Sequence, residues 1–155
     1  MYEAYEYTQR HGILLRGEYA SYRAGKGNCE QPNKFHFKNN GQDEIDEMSN
    51  EELRAHVYQQ PIGVGIFASS MLQSYRSGIV TDKYLHCSNA SNEVNHGVVI
   101  VGYGRHHRER STGQCDWYWI IRNSWGGTWG EDGFFKLCAD DAFSANLPYG
   151  TCLVN

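Results

Sequence analysis

Tyr118 to Gly133 reads YWIIRNSWGGTWGEDG, a run of aromatic and β-branched residues that ends at Asn123 and passes into a glycine-rich turn. Such a run, bounded by Asp116 on one side and Asn123 on the other, predicts a strand over Trp117 to Arg122. Upstream, Asn95 to Gly104 reads NHGVVIVGYG and predicts a second strand over His96 to Tyr103, with Phe134 to Leu137 as a third. The second half of the chain is therefore expected to be strand-dominated. It places a histidine at the mouth of one strand and an asparagine at the end of the next.

The first half is less regular. Ala4 to His11 is expected to be a short helix ended by Gly12, with Tyr5, Ile13 and Leu14 available for burial. Gly17 to Gly41 is dense in Gly, Asn, Tyr and Lys and predicts irregular structure tied down at Cys29. Ser49-Asn50-Glu51-Glu52 has the capping-box form and opens a helix to about Tyr58. Pro61 stops that helix. Ile62, Val64 and Ile66 then alternate with Gly63 and Gly65, a strand with one face free of side chains, which lets another backbone or a substrate approach. Neither a repeat nor a linker divides the chain. The expectation is an α+β fold in which one or two short helices lead into an antiparallel, β-barrel-like body.

Composition narrows the function. Of 155 residues, 40% are hydrophobic, 21% charged and 14% aromatic, which is globular rather than disordered composition. A net charge of -4 argues against nucleic acid as a partner, because phosphate binding needs clustered Lys and Arg. The one basic run, Arg105 to Arg110, is interrupted by Glu109 and reads as a solvated loop; no metal or other cofactor is expected. No apolar run is long enough for a membrane span. The N-terminus lacks the pattern of a signal peptide. Five cysteines without CxxC spacing, Cys29, Cys87, Cys115, Cys138 and Cys152, favour disulfides, and the odd count leaves at least one thiol free or paired outside the chain. With the sequon Asn89-Ala90-Ser91, this points to a glycosylated chain in a lysosomal or secretory lumen.

The chemistry rests on His96 and Asn123. An imidazole near pKa 6.5 carries protons both ways at physiological pH, as a general base that later acts as an acid must. The Asn123 amide oxygen can accept from one ring nitrogen and leave the other for a nucleophile. Being neutral, it suits a thiolate-imidazolium pair better than a serine that is deprotonated during attack. Trp125 can cover that bond and keep water from it. Taken singly, a strand-end histidine is more often structural, and an asparagine before a turn is more often a cap.

Taken together, the two segments resemble those of the papain-like cysteine proteases, the cathepsin-L-like branch in particular. There the histidine lies in an Asn/Asp-His-Ala/Gly-Val strand and the asparagine in Tyr-Trp-x-x-Lys/Arg-Asn-Ser-Trp-Gly-x-x-Trp-Gly-x-x-Gly-Tyr/Phe. The likeness continues through Ala4 to Cys29, Gln60 to Gly65 and Tyr75 to Val80 and covers nearly the whole chain, yet it corresponds to the second half of the family domain. It implies that residues 1–155 are the C-terminal, β-barrel lobe of the papain fold, with residues 1–30 crossing from the helical lobe. His96 and Asn123 become catalytic and Trp125 supporting, while Gly65, Val94 and Gly97 match positions around the main specificity pocket. As ordinary strand residues, those three need no such role.

The family's nucleophile segment, Gln-(x)-Gly-x-Cys-Gly-Ser-Cys-Trp, does not occur in these residues, and Cys115 lacks its context. The resemblance therefore implies a chain inactive without a Cys-bearing lobe, which would also bring the oxyanion donors. It pairs Cys87 with Cys152 and gives Cys29 a partner in that other lobe. Cys115 and Cys138 remain, at the start of one predicted strand and the end of the next, and are expected to be bonded. Cys152 is followed by Leu153 where the family usually has Gly, and the family continues past the position of Asn155 to finish the pocket. Two readings follow: a lobe of a cysteine endopeptidase acting on peptide or protein substrates, or a non-catalytic remnant serving as a scaffold or interaction subunit.

Overall fold

The structure, a computed structural model, describes residues 2–28, 37–43, 48–81, 94–105, 115–139 and 153–154. The chain divides into two compact units, Met1–Glu44 and Ile45–Asn155.

In the first unit, α1 (Tyr2–His11) ends where Gly12 turns into the left-handed region at φ 73° and its amide donates to Thr8 O at 2.8 Å. Ile13 then donates to Phe37 O at 2.9 Å in an isolated antiparallel bridge. A single 3-10 turn, Arg16–Glu18, follows. No residue of α1 is buried, and Tyr5 and Ile13 are exposed where burial was expected. A unit this short encloses too little apolar surface to form a core alone.

The second unit is built on a sheet. Its helix α2 (Asn50–Gln59) starts with the expected capping box: Ser49 Oγ accepts from Glu52 N at 3.2 Å and the Glu52 carboxylate accepts from Ser49 N at 2.8 Å. Donation from the Ser49 hydroxyl, at 2.7 Å, and then from the Ser49 amide holds the Glu52 carboxyl below its usual range. Asn50, Leu53 and Val57 form the buried stripe of α2, and Asn50 Nδ2 donates to Ala139 O at 2.9 Å. Strand β1 (Ile62–Ile66) follows, then the one-turn helix α3 (Ser70–Gln73) and the short β2 (Ile79–Val80). The remaining strands are β3 (His96–Arg105), β4 (Trp117–Arg122), β5 (Phe134–Cys138) and β6 (Leu153–Val154).

The six strands run in the order β2-β5-β4-β3-β1-β6. All neighbours are antiparallel except β2 and β5, which are parallel. Among the described residues the sheet stays open, so the α+β body is a sheet with two edges, β2 and β6, that does not close on itself. The extra pieces α3, β2 and β6 are two to four residues long, too short to leave a periodic signal in sequence.

The core lies on one face of this sheet. Cross-strand partners Ile100 and Ile121, Ile121 and Phe135, Trp119 and Leu137, and Val64 and Val98 are all buried. Residues of β3 before Val101 keep strict alternation. A register shift between Ile100 and Gly102 inserts one extra residue, so Tyr103 pairs with Trp119 and meets its ring edge-on at 6.2 Å. Cys115 and Cys138 are disulfide-bonded across the far end of β4, with Cα atoms 5.6 Å apart.

Candidate active site

Strand parity assembles the site. Trp119, Ile121 and Asn123 follow one another at steps of two, as do Ile100, Val98 and His96 on the neighbouring strand, so both polar residues continue the core face past its apolar rows. Ile66, directly opposite His96 on β1, is buried on the same face. His96 Nε2 and Asn123 Oδ1 are 2.8 Å apart. The Ser124 amide donates to the same Oδ1, also at 2.8 Å, which fixes the amide with its oxygen toward the ring. An oxygen can only accept, so Nε2 carries the proton and Nδ1 is the nitrogen left for other partners.

Asn123 is 9% exposed, and its Nδ2 finds no hydrogen-bond partner among the described residues. Its backbone is tied as well, with Asn123 N donating to Gly133 O at 2.9 Å across the base of the loop. Beside it, Trp125 stacks on His96 with ring centroids 5.0 Å apart and planes 30° apart. The imidazole is thus held by a hydrogen bond at one nitrogen and by an indole along its face.

Asn95 sets the entry to β3. Its Oδ1 accepts from Ala68 N at 2.7 Å, its Nδ2 donates to Ala68 O at 3.3 Å, and its backbone N donates to Ile66 O at 3.2 Å. One side chain therefore closes the gap between the end of β1 and the start of β3, just before the histidine. Gly65 and Gly97 are paired partners, Gly97 is exposed, and Val94 is 42% exposed. Cys115, buried and held by Cys138, stands at the other end of β4, a strand length of roughly 20 Å from Asn123. The expectations for Cys29, Cys87, Cys152 and Asn89 lie outside the described residues.

Behind Trp125 lies a set of contacts that sequence reading did not single out. Trp129 meets Trp125 edge-on at 5.0 Å and packs against Tyr75 at 5.6 Å and Phe135 at 5.8 Å, while its indole N–H donates to Gln73 O at 3.1 Å. Tyr75 OH lies 2.7 Å from Gly78 O and 2.9 Å from Glu131 Oε1. Glu131 Oε1 also accepts from Gly78 N at 3.0 Å, and Oε2 accepts from Lys136 Nζ at 2.6 Å. Burial pushes the Tyr75 hydroxyl well up, and the bond to Glu131 adds to it. Burial would also raise Glu131, but donation from Lys136, Gly78 and Tyr75 outweighs it and leaves the carboxyl below its usual range. The spacing Trp-Gly-x-x-Trp-Gly, with the second indole four residues after the first, was the available signal for Trp129. Tyr75 opens a segment of the family likeness, but nothing in that segment pointed to Glu131, 56 residues away.

Among the described residues, no helix is long and apolar enough to cross a membrane. None of their His, Cys, Asp and Glu side chains group as a metal site.

The family model described as "Papain family cysteine protease" matches residues 1–152. Cysteine proteinase EP-B 1 of Hordeum vulgare is 30% identical over 155 residues, covering 95% of this chain and 38% of the relative. Procathepsin L of Rattus norvegicus is 34% identical over 139 residues, covering 88% and 40% respectively. The chain thus spans about two fifths of the length of these relatives. The structure of digestive procathepsin L 3 from the Tenebrio molitor larval midgut superposes with a TM-score of 0.75 at 30% identity, covering 99% of this chain and 46% of that one. With a family match over almost its whole length and a hydrogen-bonded His96–Asn123 pair at the sheet's end, this chain belongs to the papain family of cysteine proteases.

Proposed function

We propose that this chain is the β-rich, C-terminal lobe of a papain-like cysteine endopeptidase and supplies the proton carrier and its orienter for peptide-bond hydrolysis. The observation that carries the reading is the 2.8 Å contact between His96 Nε2 and Asn123 Oδ1 beneath the Trp125 indole. Residues 1–30 are the segment leading from the helical lobe. That lobe, on the same polypeptide or another, brings the nucleophilic cysteine, the oxyanion donors and a partner for Cys29.

In the assembled site, Nδ1 of His96 faces the thiol and takes its proton, giving a thiolate-imidazolium pair. The thiolate attacks the substrate carbonyl carbon. The imidazolium returns its proton to the departing amine, leaving an acyl-enzyme and neutral His96. Water, deprotonated by Nδ1, then releases the acid and restores the thiol. Asn123 keeps Nε2 protonated throughout without adding negative charge. Gly65, Gly97 and Val94 border the substrate side chain, an assignment supported by the side-chain-free pairing of the two glycines and the exposure of Val94. The buried Asn123 amide, unpaired among the described residues, fits a wall that a second lobe completes, because an unsatisfied donor costs about 1–3 kcal/mol. A lysosomal or secreted location suits a disulfide-bonded chain.

The test is reconstitution. The 155-residue chain alone is expected to show no peptidase activity and no labelling by an epoxide probe for activated thiols. Co-purified with a polypeptide carrying the nucleophile helix, it is expected to yield activity that His96→Ala abolishes. Labelling of Cys115 in the chain alone, or peptidase activity indifferent to His96→Ala, overturns the proposal. Stable association without activity supports the scaffold reading instead.

A further inference from the structure

The His96 imidazole is held on one side by Asn123, and its other support leads through two indoles to a polar cluster. His96 stacks on Trp125, Trp125 meets Trp129, and Trp129 is itself fixed at two points, by its N–H on Gln73 O and by the Tyr75 ring. Tyr75 is 2% exposed, so its hydroxyl must be satisfied internally. It has one proton and two acceptors within reach, Gly78 O and Glu131 Oε1, and it lies 3.4 Å from the Lys136 amide that can donate to it. Glu131 uses both carboxylate oxygens, one toward the Tyr75–Gly78 turn and one toward Lys136.

The arrangement spans two segments distant in sequence. Glu131 belongs to the same loop as Trp125 and Trp129, whereas Tyr75 and Gly78 belong to the turn between α3 and β2. The loop side has little slack. Gly130 sits at φ 60°, and a Cβ there would lie 2.5 Å from Phe134 O and 3.1 Å from the Tyr75 ring. The Trp129 indole packs on the Tyr75 ring at 5.6 Å, and turning Tyr75 would break its bonds to Glu131 and Gly78.

We propose that Tyr75, Glu131 and Lys136 act as positioning residues for the catalytic imidazole, clamping Trp129 so that Trp125 holds the His96 ring in the plane its bond to Asn123 requires. The clamp acts through aromatic packing and touches neither substrate nor nucleophile. This rests on the reading of His96 as the proton carrier, so its test needs a readout that exists without any reaction.

That readout is the His96 ring itself, followed by NMR in the full chain. The stacked indole shields the imidazole protons, and the bond to Asn123 fixes the Nε2–H tautomer. Tyr75→Phe keeps the ring packing and removes only the hydroxyl. Glu131→Gln keeps an acceptor for Tyr75 and Gly78 but presents an amide to Lys136. Lys136→Met keeps the stem and removes the cation, and Lys136→Arg restores it. The expectation is that Tyr75→Phe and Glu131→Gln each remove more than half of the shielding at His96 and mix the tautomers. Lys136→Met does so less, and Lys136→Arg recovers the wild-type spectrum. If a variant does not fold, the others decide the outcome, because Lys136 is on the surface edge of the cluster and its replacement leaves the core intact. A lowered melting temperature with an unchanged His96 spectrum in the folded variants overturns the proposal and leaves the cluster a mere brace.

In a reconstituted enzyme, Tyr75→Phe is expected to lower kcat on the order of tenfold with KM little changed. An equal change in KM alone would also overturn the proposal. Absence of activity altogether would instead fault the protease reading while the spectra still judged the clamp.

Discussion

The two units of this chain handle the same kind of residue in opposite ways. In Ile45–Asn155, large apolar side chains recur at steps of two on paired strands, and Trp119, Ile121, Phe135 and Leu137 disappear from solvent. In Met1–Glu44, Tyr2, Tyr5, Ile13, Leu15, Tyr19 and Tyr22 are exposed, and α1 buries nothing. Aromatic content alone does not make a core. What separates the units is whether the pattern places those residues on a surface that a neighbour in the same unit can cover.

The contrast can be broken by substitution. Trp119→Ala, at 0% exposure, is expected to cost about 4 kcal/mol, read as a lower urea midpoint for the sheet's signals. A loss under about 1 kcal/mol would mean the sheet face is far looser than its burial suggests. Next in size is the Cys115–Cys138 bond, which closes a loop 23 residues in sequence separation; its reduction is expected to cost about 3 kcal/mol in the same unfolding measurement. Full retention of stability after reduction would move the anchoring of β4 and β5 from the disulfide to packing.

A smaller effect comes from Glu131. Its folded-state carboxyl titrates below its ordinary value, so its contribution is complete above that value and is lost as pH falls through the lower folded one. Wild type is thus expected to be more stable than Glu131→Gln at pH 6, by about 1 kcal/mol, and to converge with it in acid. A gap that persists unchanged in acid removes the ionised carboxylate as its cause. The smallest effect belongs to the first unit. Tyr22→Ser, at 93% exposure, is expected to shift stability by less than about 0.5 kcal/mol. If it costs as much as a core residue, the contrast between the units fails.

These differences also explain what was legible in the sequence. The capping box at Ser49 and the alternation in Trp117 to Arg122 are local signals, and the elements formed where those signals stood. Histidine and asparagine could be paired because their two segments resemble the papain-like motifs, and each residue stands at one end of a predicted strand. Tyr5 and Ile13 failed as core candidates because burial depends on a partner surface, which no residue type announces. The cluster around Glu131 was invisible for a similar reason: its value lies in Tyr75 and Gly78, which only the tertiary fold brings near. The parallel pairing of β2 with β5 depends on two residues per strand, too few for any period to register.

The extra residue in β3 makes that strand two half-strands of independent phase. Deleting Val99 while the bulge stays in place would rotate His96 and Val98 to the opposite side of the sheet, pulling the imidazole from Asn123 while leaving Tyr103 in place. Deleting Val101 is different. Ile100 already opposes Ile121 and Gly102 already opposes Ile120, so the ladder would close over the gap with each half still in step. Within the strand that carries the histidine, Val101 is thus the position where the chain can change length without separating His96 from Asn123.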